Sequence, residues 1–221
     1  MTTNDVADDM AQRNNQTGDA SPPDGGADPV YERILTRARQ IFFSRGFARV
    51  TMAELAHQLG ISTRTLYKHF ASKDDLVRAA MLSKVSEMEC AIIEATADTS
   101  LSVRDRLRKA IPAMVRVMSA LEPPWIEDVA RHAPELFELA NVRRLQCIQA
   151  HLGPLFAEAA RRGETRSNVP PHLFMEVVAT VVSNLLTPAG VRRLQMAPQY
   201  MFQAVMTILL DGLFLDPPPD G

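Results

Sequence analysis

Two short amphipathic segments constrain the fold of this chain more than any other feature. The first runs from Thr51 to Gly60 and the second from Ser62 to Phe70, so that only Gly60 and Ile61 separate the first helix from the cap of the second. Each segment opens on a hydroxyl residue suited to capping a helix and carries apolar residues at helical spacing. This layout is typical of a helix-turn-helix, which lays its second helix in the DNA major groove.

The faces of the second helix follow from a rotation of about 100° per residue. Leu66 and Phe70 share one face, which would pack against the neighbouring helices. Arg64 and Lys68 lie on the opposite side, with Thr65 beside them. An arginine in this position can bind a guanine through two hydrogen bonds, a contact worth roughly 1–3 kcal/mol of base discrimination. We therefore expect Arg64, Thr65 and Lys68 to face the floor of the groove.

The flanks of this helix and the starts of two other helices are expected to contact phosphates. Tyr67 and His69 lie on the two flanks. Thr51 and Lys73 occupy helix starts, where free backbone amides and the helix dipole favour an anion, and Lys73 would add a mobile charge. The alternatives are helix capping for Thr51, packing for Tyr67 and a solvated charge for Lys68.

The charge of the 221 residues is distributed unevenly around a formal net charge of −2. Residues 1–28 carry six Asp and one Arg with almost no large apolar groups, so we expect an acidic, disordered tail. Residues 29–80 carry nine Lys or Arg against four acidic groups. This excess agrees with a phosphate-binding surface, although an ordinary solvated face would show it too.

Helical periodicity, interrupted by Pro and Gly, continues through the rest of the chain, and no segment alternates as a strand would. We predict an all-α fold in which a three-helix DNA-binding domain over 29–76 precedes a helical effector-binding and dimerisation domain over 77–216. The predicted helices cover about 29–45, 51–60, 62–70, 72–96, 101–120, 123–131, 134–162, 170–187 and 198–214.

The last two predicted helices have wider apolar faces than one chain needs to bury. We expect the helices near 170–187 and 198–214 to form a two-fold, four-helix interface between two copies, with a thick monomeric core as the alternative. Such a homodimer would present two recognition helices to half-sites about 34–36 Å apart, or a multiple of that spacing.

A ligand cavity is expected among the helices between residues 80 and 185. Its candidate lining residues are Met114, Met118, Trp125, Ile126, Phe137, Cys147 and Phe174. Trp125 is the strongest candidate because the only Trp of the chain follows Pro123 and Pro124 at a break between helices. Core packing is the alternative for every one of these residues, since Met and aromatic side chains at helical spacing are usually buried.

No metal site and no cofactor are predicted. The acidic and basic residues between Glu127 and Glu135 could be metal ligands, but ion pairs of Glu127 with Arg131 and of Asp128 with His132 explain them more simply. Cys90 and Cys147 are too far apart in sequence for a CxxC site.

The remaining sequence signals argue against catalysis, secretion and membrane insertion. The sequence contains no GxSxG elbow, phosphate loop, dinucleotide fingerprint or HExxH motif. The two cysteines suit a reducing compartment, and no apolar run is long enough to span a bilayer. We therefore expect a cytoplasmic protein that is not an enzyme.

The basic segment resembles the N-terminal domain of the tetracycline-repressor (TetR) family over about fifty positions. The residues that carry the resemblance are Ile34, Leu35, Ala38, Phe42, Gly46, Phe47, Val50–Met52, Leu55, Ala56, Leu59–Ser62, Thr65–Phe70 and Ser72–Leu76. The resemblance implies an all-helical homodimer that binds operator DNA through its N-terminal helices and a ligand through its C-terminal domain. It also implies DNA contacts by Thr51, Thr63 to His69, and Lys73.

The leading hypothesis is a transcriptional regulator, most simply a repressor that a small apolar or amphipathic effector releases from a palindromic operator. The alternative is a helix-turn-helix dimer without a small-molecule effector, controlled by a protein partner or acting as an activator. An enclosed cavity in the C-terminal helices would favour the first hypothesis over the second.

Overall fold

The computed structural model describes residues 28–185 and 187–214, which form ten α-helices. The helices are α1 (Pro29–Arg45), α2 (Met52–Leu59), α3 (Thr63–His69), α4 (Lys73–Thr96), α5 (Val103–Ser119), α6 (Pro123–His132), α7 (Pro134–Arg161), α8 (Pro171–Leu185), α9 (Pro188–Leu194) and α10 (Pro198–Leu213). The predicted all-α fold is confirmed. The tail predicted to be disordered over 1–28 lies outside the described residues, apart from Asp28.

Local sequence signals set the ends of the first two helices. The Asp28 carboxylate accepts a hydrogen bond from the Val30 amide at 2.9 Å and caps α1, which ends at Gly46 with a φ of +80°. The Thr51 hydroxyl accepts from the Glu54 amide at 3.1 Å and caps α2. The Glu54 carboxylate does not complete a capping box, because it accepts instead from Arg45 at 2.6 Å.

The turn between α2 and α3 depends on a left-handed glycine. Gly60 has a φ of +65°, and its amide donates to the His57 carbonyl at 3.1 Å. Ile61 donates to the Ala56 carbonyl at 3.0 Å, which satisfies the end of α2. The Ser62 hydroxyl then accepts from the Thr65 amide at 3.0 Å and starts α3.

Two hydrophobic cores lie at opposite ends of α4. The first core joins α1, α2, α3 and the start of α4 with Trp125 and Val129 of α6 and Leu136 of α7. The second core joins the later part of α4 with α5, α7, α8 and α10. The domain boundary proposed at residue 76 falls inside α4, whose side chains as far as Met81 still pack in the first core. One continuous helix therefore connects the two cores.

The region between α8 and α10 differs from the prediction. The sequence predicted no helix there, but Thr187 caps α9 by accepting from the Gly190 amide at 3.0 Å. The short α9 packs against α6 and α8. None of the described helices combines the length and the apolar character that a membrane span requires.

Candidate DNA-binding surface and ligand cavity

The recognition helix α3 presents a buried face and a free basic face. Leu66 is 0% exposed and Phe70 is 4% exposed, so both pack in the first core as predicted. Arg64 and Lys68 are exposed, and neither makes a hydrogen bond or an ion pair with any described residue. Two unpaired cations one turn apart therefore point away from the core, with the spacing that a groove contact requires.

Other predicted DNA contacts surround this basic face. Thr51 and Thr63 are exposed. Tyr67 is 49% exposed, although the preceding residue, Leu66, is buried. Thr65 is half-buried, with its hydroxyl 2.8 Å from the Ser62 hydroxyl. Thr65 is thus held against the helix cap rather than directed freely outward.

His69 and Lys73 are already held by neighbouring groups. The His69 side chain is 12% exposed, and its Nδ1 lies 3.4 Å from the Asp28 carboxylate. The Lys73 ammonium donates to the Ala48 carbonyl at 3.0 Å and lies 5.8 Å from the centre of the Phe47 ring. Burial lowers the pKa of Lys73. The expectation of a mobile charge at Lys73 is wrong, because this ammonium fastens α4 to the loop after α1.

Helix α6 is attached to the end of α1 through Asp128. One oxygen of this carboxylate accepts from both the Phe47 and the Ala48 amides, each at 2.7 Å. A third contact joins the same elements, since the Glu122 amide donates to the Phe43 carbonyl at 2.9 Å. These three contacts couple the position of α6 to that of the end of α1.

This arrangement corrects the predicted ion pairs of α6. Asp128 does not pair with His132, and Glu127 does not pair with Arg131, within the described part of the chain. The chain leaves α1 at Gly46 and presents two free amides beside Asp128, and a carboxylate binds such amides in preference to an exposed histidine.

Trp125 strengthens the attachment of α6. Its ring packs edge to face on Phe43, with centroids 4.9 Å apart, and on Phe47, with centroids 5.5 Å apart. Trp125 is only 4% exposed and belongs to the first core. The residue predicted as the best ligand contact is thus also a packing residue of the DNA-binding end.

A mainly apolar cavity of about 120 Å³ lies between the two cores. Side chains of α1, α4, α5, α6 and α7 line it, together with Val191 of α9 and Pro198 of α10. The predicted candidates that line this cavity are Met118, Trp125, Ile126 and Phe137. The others, Met114, Cys147 and Phe174, lie in the second core instead. These three residues pack because their helix faces meet other helices; Phe174, for example, lies against Phe156 with centroids 4.6 Å apart.

Three polar side chains that sequence reasoning missed also line the cavity: Lys84, Asn141 and Arg144. Lys84 donates to both Glu87 carboxylate oxygens at 3.1 Å and lies 5.6 Å from the Phe43 ring centre. Burial lowers the pKa of Lys84. Asn141 and Arg144 could have been noticed from spacing, since they interrupt the apolar face of α7 between Phe137 and Ile148.

One group of side chains has the composition of a metal site. The ligand atoms of Glu89, Cys147 and His151 lie within 4.8 Å of one another, and His151 Nε2 is 2.7 Å from the Glu89 carboxylate. Burial raises the pKa of the Cys147 thiol to about 11. The contact between His151 and Glu89 explains why two of these side chains lie together, and we assign no metal to this group.

Known proteins identify the family of this chain. The profile described as "Bacterial regulatory proteins, tetR family" matches residues 34–80. The HTH-type transcriptional regulator BetI of Stenotrophomonas maltophilia (strain R551-3) is 30% identical over 131 residues, which cover 56% of this chain and 67% of that protein. The chain belongs to the TetR family. It is a DNA-binding transcriptional regulator, and its relatives are regulators rather than enzymes.

Two further similarities extend over most of this TetR-family chain. The uncharacterized HTH-type transcriptional regulator YvaF of Bacillus subtilis (strain 168) is 23% identical over 190 residues, covering 86% of this chain and 98% of that protein. A putative transcriptional regulator from Saccharomonospora viridis, solved in complex with choline, has a TM-score of 0.61 at 19% identity and covers 85% of this chain and 98% of its own. The family fold therefore extends through the C-terminal helices.

Proposed function

We propose that this regulator is a homodimeric repressor that leaves a palindromic operator when a small apolar or amphipathic effector enters the cavity. The observation that carries this proposal is the position of α6, which forms part of the cavity wall and also holds the end of α1. Trp125 and Ile126 line the cavity, while Asp128 of the same helix binds the Phe47 and Ala48 amides.

The route from the cavity to DNA is short. An effector that displaces α6 or α4 changes the position of α1 and, through it, of the recognition helix. It acts only through its difference in affinity between the DNA-bound and released arrangements. The S. viridis structure supports the proposal, because a protein of the same fold is solved with a small molecule, choline.

Exposed apolar residues on α8 and α10 support a dimer. Leu173 and Val177 of α8 are 48% and 38% exposed, and Tyr200 and Ile208 of α10 are 61% and 70% exposed. A second copy packed against the same two helices would cover these residues in a four-helix interface. A dimer also supplies the second recognition helix that a palindromic operator requires.

The proposed DNA contacts follow the exposure of α3. Arg64 and Lys68 face the groove floor with Thr65 beside them, and Thr51, Thr63 and Tyr67 contact the phosphates. His69 and Lys73 lie close enough to join them, but their present partners make positioning of α1 and α4 their main role.

Selection of bound sequences from random DNA, followed by gel shifts, tests the DNA-binding part of the proposal. Arg64→Ala should weaken binding to the selected site by roughly five- to 150-fold and reduce the base preference at one position, because a base contact is worth about 1–3 kcal/mol. Lys68→Ala should weaken selected and random DNA alike if it mainly neutralises phosphate. Arg116→Ala removes an exposed cation of α5 and serves as the control. Unchanged affinity and preference in Arg64→Ala would refute the groove contact.

A reporter assay separates repression from the alternative regulatory modes. Deletion of the gene should raise transcription from a promoter that carries the selected site, and lowered transcription would show an activator instead. A screen of metabolites and hydrophobic drugs should yield compounds that release the operator. A complete failure of such compounds, together with release by a copurifying protein, would favour control by a protein partner.

A further inference from the structure

The cavity contains one cation that the described residues leave uncompensated. Arg144 of α7 lines the cavity and donates a hydrogen bond to the side-chain oxygen of Asn141, a neutral acceptor. Its Nε is shielded from solvent and has no hydrogen-bond partner in the part of the chain that the structure describes. No described carboxylate lies within ion-pair distance of the guanidinium. A buried charge in this state is costly unless a counter-charge is supplied.

Lys84 of α4 also lines this cavity, and its charge is compensated by a carboxylate. Its ammonium binds both oxygens of Glu87, which also pairs with Arg39. Arg144 has no such partner within 28–185 and 187–214, and burial lowers its pKa only to about 10, so it remains charged at neutral pH. The two cations therefore differ in one respect that matters for ligands: Lys84 has a carboxylate partner, and Arg144 has none among the described residues.

We propose that Arg144 is the anion-binding group of the cavity and that the effector is a compact apolar molecule bearing a carboxylate. This inference rests on the proposed effector-controlled function and specifies the chemistry of its ligand. A guanidinium presents paired N–H donors that match the two oxygens of a carboxylate. The side chains around the remainder of the ligand would be apolar, among them Met118, Trp125, Ile126 and Phe137.

The size of the cavity limits the apolar part of the ligand. A volume of about 120 Å³ is close to the roughly 150 Å³ that holds one benzene molecule in an apolar protein interior. One ring or a short branched chain fills such a space. A larger groove of about 740 Å³ between α6 and the α9–α10 segment adjoins the cavity and shares Leu121, Ile126, Val191 and Pro198 with it.

Phenylacetate and its neutral isostere phenylacetamide test the inference in titration calorimetry with the full-length protein. Wild type should bind phenylacetate about ten- to a hundredfold more tightly than phenylacetamide, because the amide cannot form the charged pair. Arg144→Gln should abolish that preference, and Arg144→Lys should restore part of it. Arg143→Gln removes the same charge from the neighbouring, exposed position and should bind like wild type.

Thermal melts without ligand separate a binding role from a structural one. If Arg144 is a binding group for an anion, Arg144→Gln removes a charge that has no counter-charge in the ligand-free protein. The variant should then have a melting temperature equal to or above that of wild type. Phenylacetate should then raise the melting temperature of wild type and Arg143→Gln but not that of Arg144→Gln. A clear loss of stability in ligand-free Arg144→Gln would assign the residue to the fold and overturn the inference.

Two other results would also overturn the inference that Arg144 binds the anionic group of the effector. One is equal affinity of wild type for phenylacetate and phenylacetamide, and the other is no binding of phenylacetate at millimolar concentration. A gel shift on the selected operator, with and without phenylacetate, distinguishes failure of this inference from failure of the proposed function. Arg144-dependent binding that leaves operator affinity unchanged would confirm the anion site and refute effector control. Failure of the ligand-free protein to bind any selected DNA would refute the DNA-binding proposal without touching the ligand site.

Discussion

Removal of the Asp128 carboxylate should weaken the junction between α6 and the DNA-binding helices by a predictable amount. In Asp128→Ala the Phe47 and Ala48 amides lose an acceptor that lies 2.7 Å from each. A hydrogen bond to a charged group contributes about 1.5–3 kcal/mol. Water can replace the acceptor at exposed Ala48 but less readily at partly buried Phe47. We therefore expect the free energy of unfolding to fall by about 2 kcal/mol, mostly through the Phe47 amide.

Urea denaturation followed by circular dichroism measures this loss at a fixed protein concentration. With a denaturant slope of about 2 kcal/mol per molar, the midpoint should fall by about 1 M. Asp128→Asn keeps an acceptor oxygen without its charge and should lose about half as much. Glu127→Ala removes an exposed carboxylate one residue earlier and should stay within about 0.5 kcal/mol of wild type. Equal midpoints for Asp128→Ala and Glu127→Ala would refute the attachment of α6 through Asp128.

Three further substitutions test other parts of the structure. Gly46→Ala should lower the free energy of unfolding, measured by thermal melting, by about 3 kcal/mol, because the site has a φ of +80° and the new methyl would lie 2.3 Å from the Asp128 carboxylate. If this loss is not smaller in an Asp128→Ala background, the clash with Asp128 is not its cause. Gly60→Ala, at a φ of +65° with open space around it, should lower the melting temperature by only about 3 °C, through backbone strain alone. Ile208→Glu should convert the proposed dimer to monomers in sedimentation equilibrium, whereas Arg116→Glu, at an exposed position of α5, should leave the dimer intact. An intact dimer in Ile208→Glu would place the interface elsewhere.

Most of the fold could be predicted because its determinants are local. Thr51, Ser62 and Ser72 cap the helices they precede, and Gly46 and Gly163 end helices with positive φ values. The burial of Leu66 and Phe70 follows from helical spacing alone. The missed helix α9 is only seven residues long, a length at which packing against α6 and α8 decides helix formation more than propensity does.

The sites were predicted less completely, since they depend on residues distant in sequence. Asp128 was expected to pair with His132 one turn away, but its partners lie about eighty positions earlier, at Phe47 and Ala48. Four candidate ligand residues line the cavity, yet its charged wall, formed by Lys84 and Arg144, was not anticipated. Helical spacing shows that a residue faces inward but not which helix it meets or whether a space remains there.

The sequence by itself determined nine of the ten described helices, the resemblance to the family and the basic face of α3, because caps, periodicity and charge act within one helix or between its neighbours. Only the tertiary structure decided that α6 bridges the cavity and the end of α1, that Lys73 is fastened to Ala48, and that the shielded Nε of Arg144 has no counter-charge among the described residues. These facts depend on which helix faces meet, and on the loss of solvent that this contact imposes on a charge.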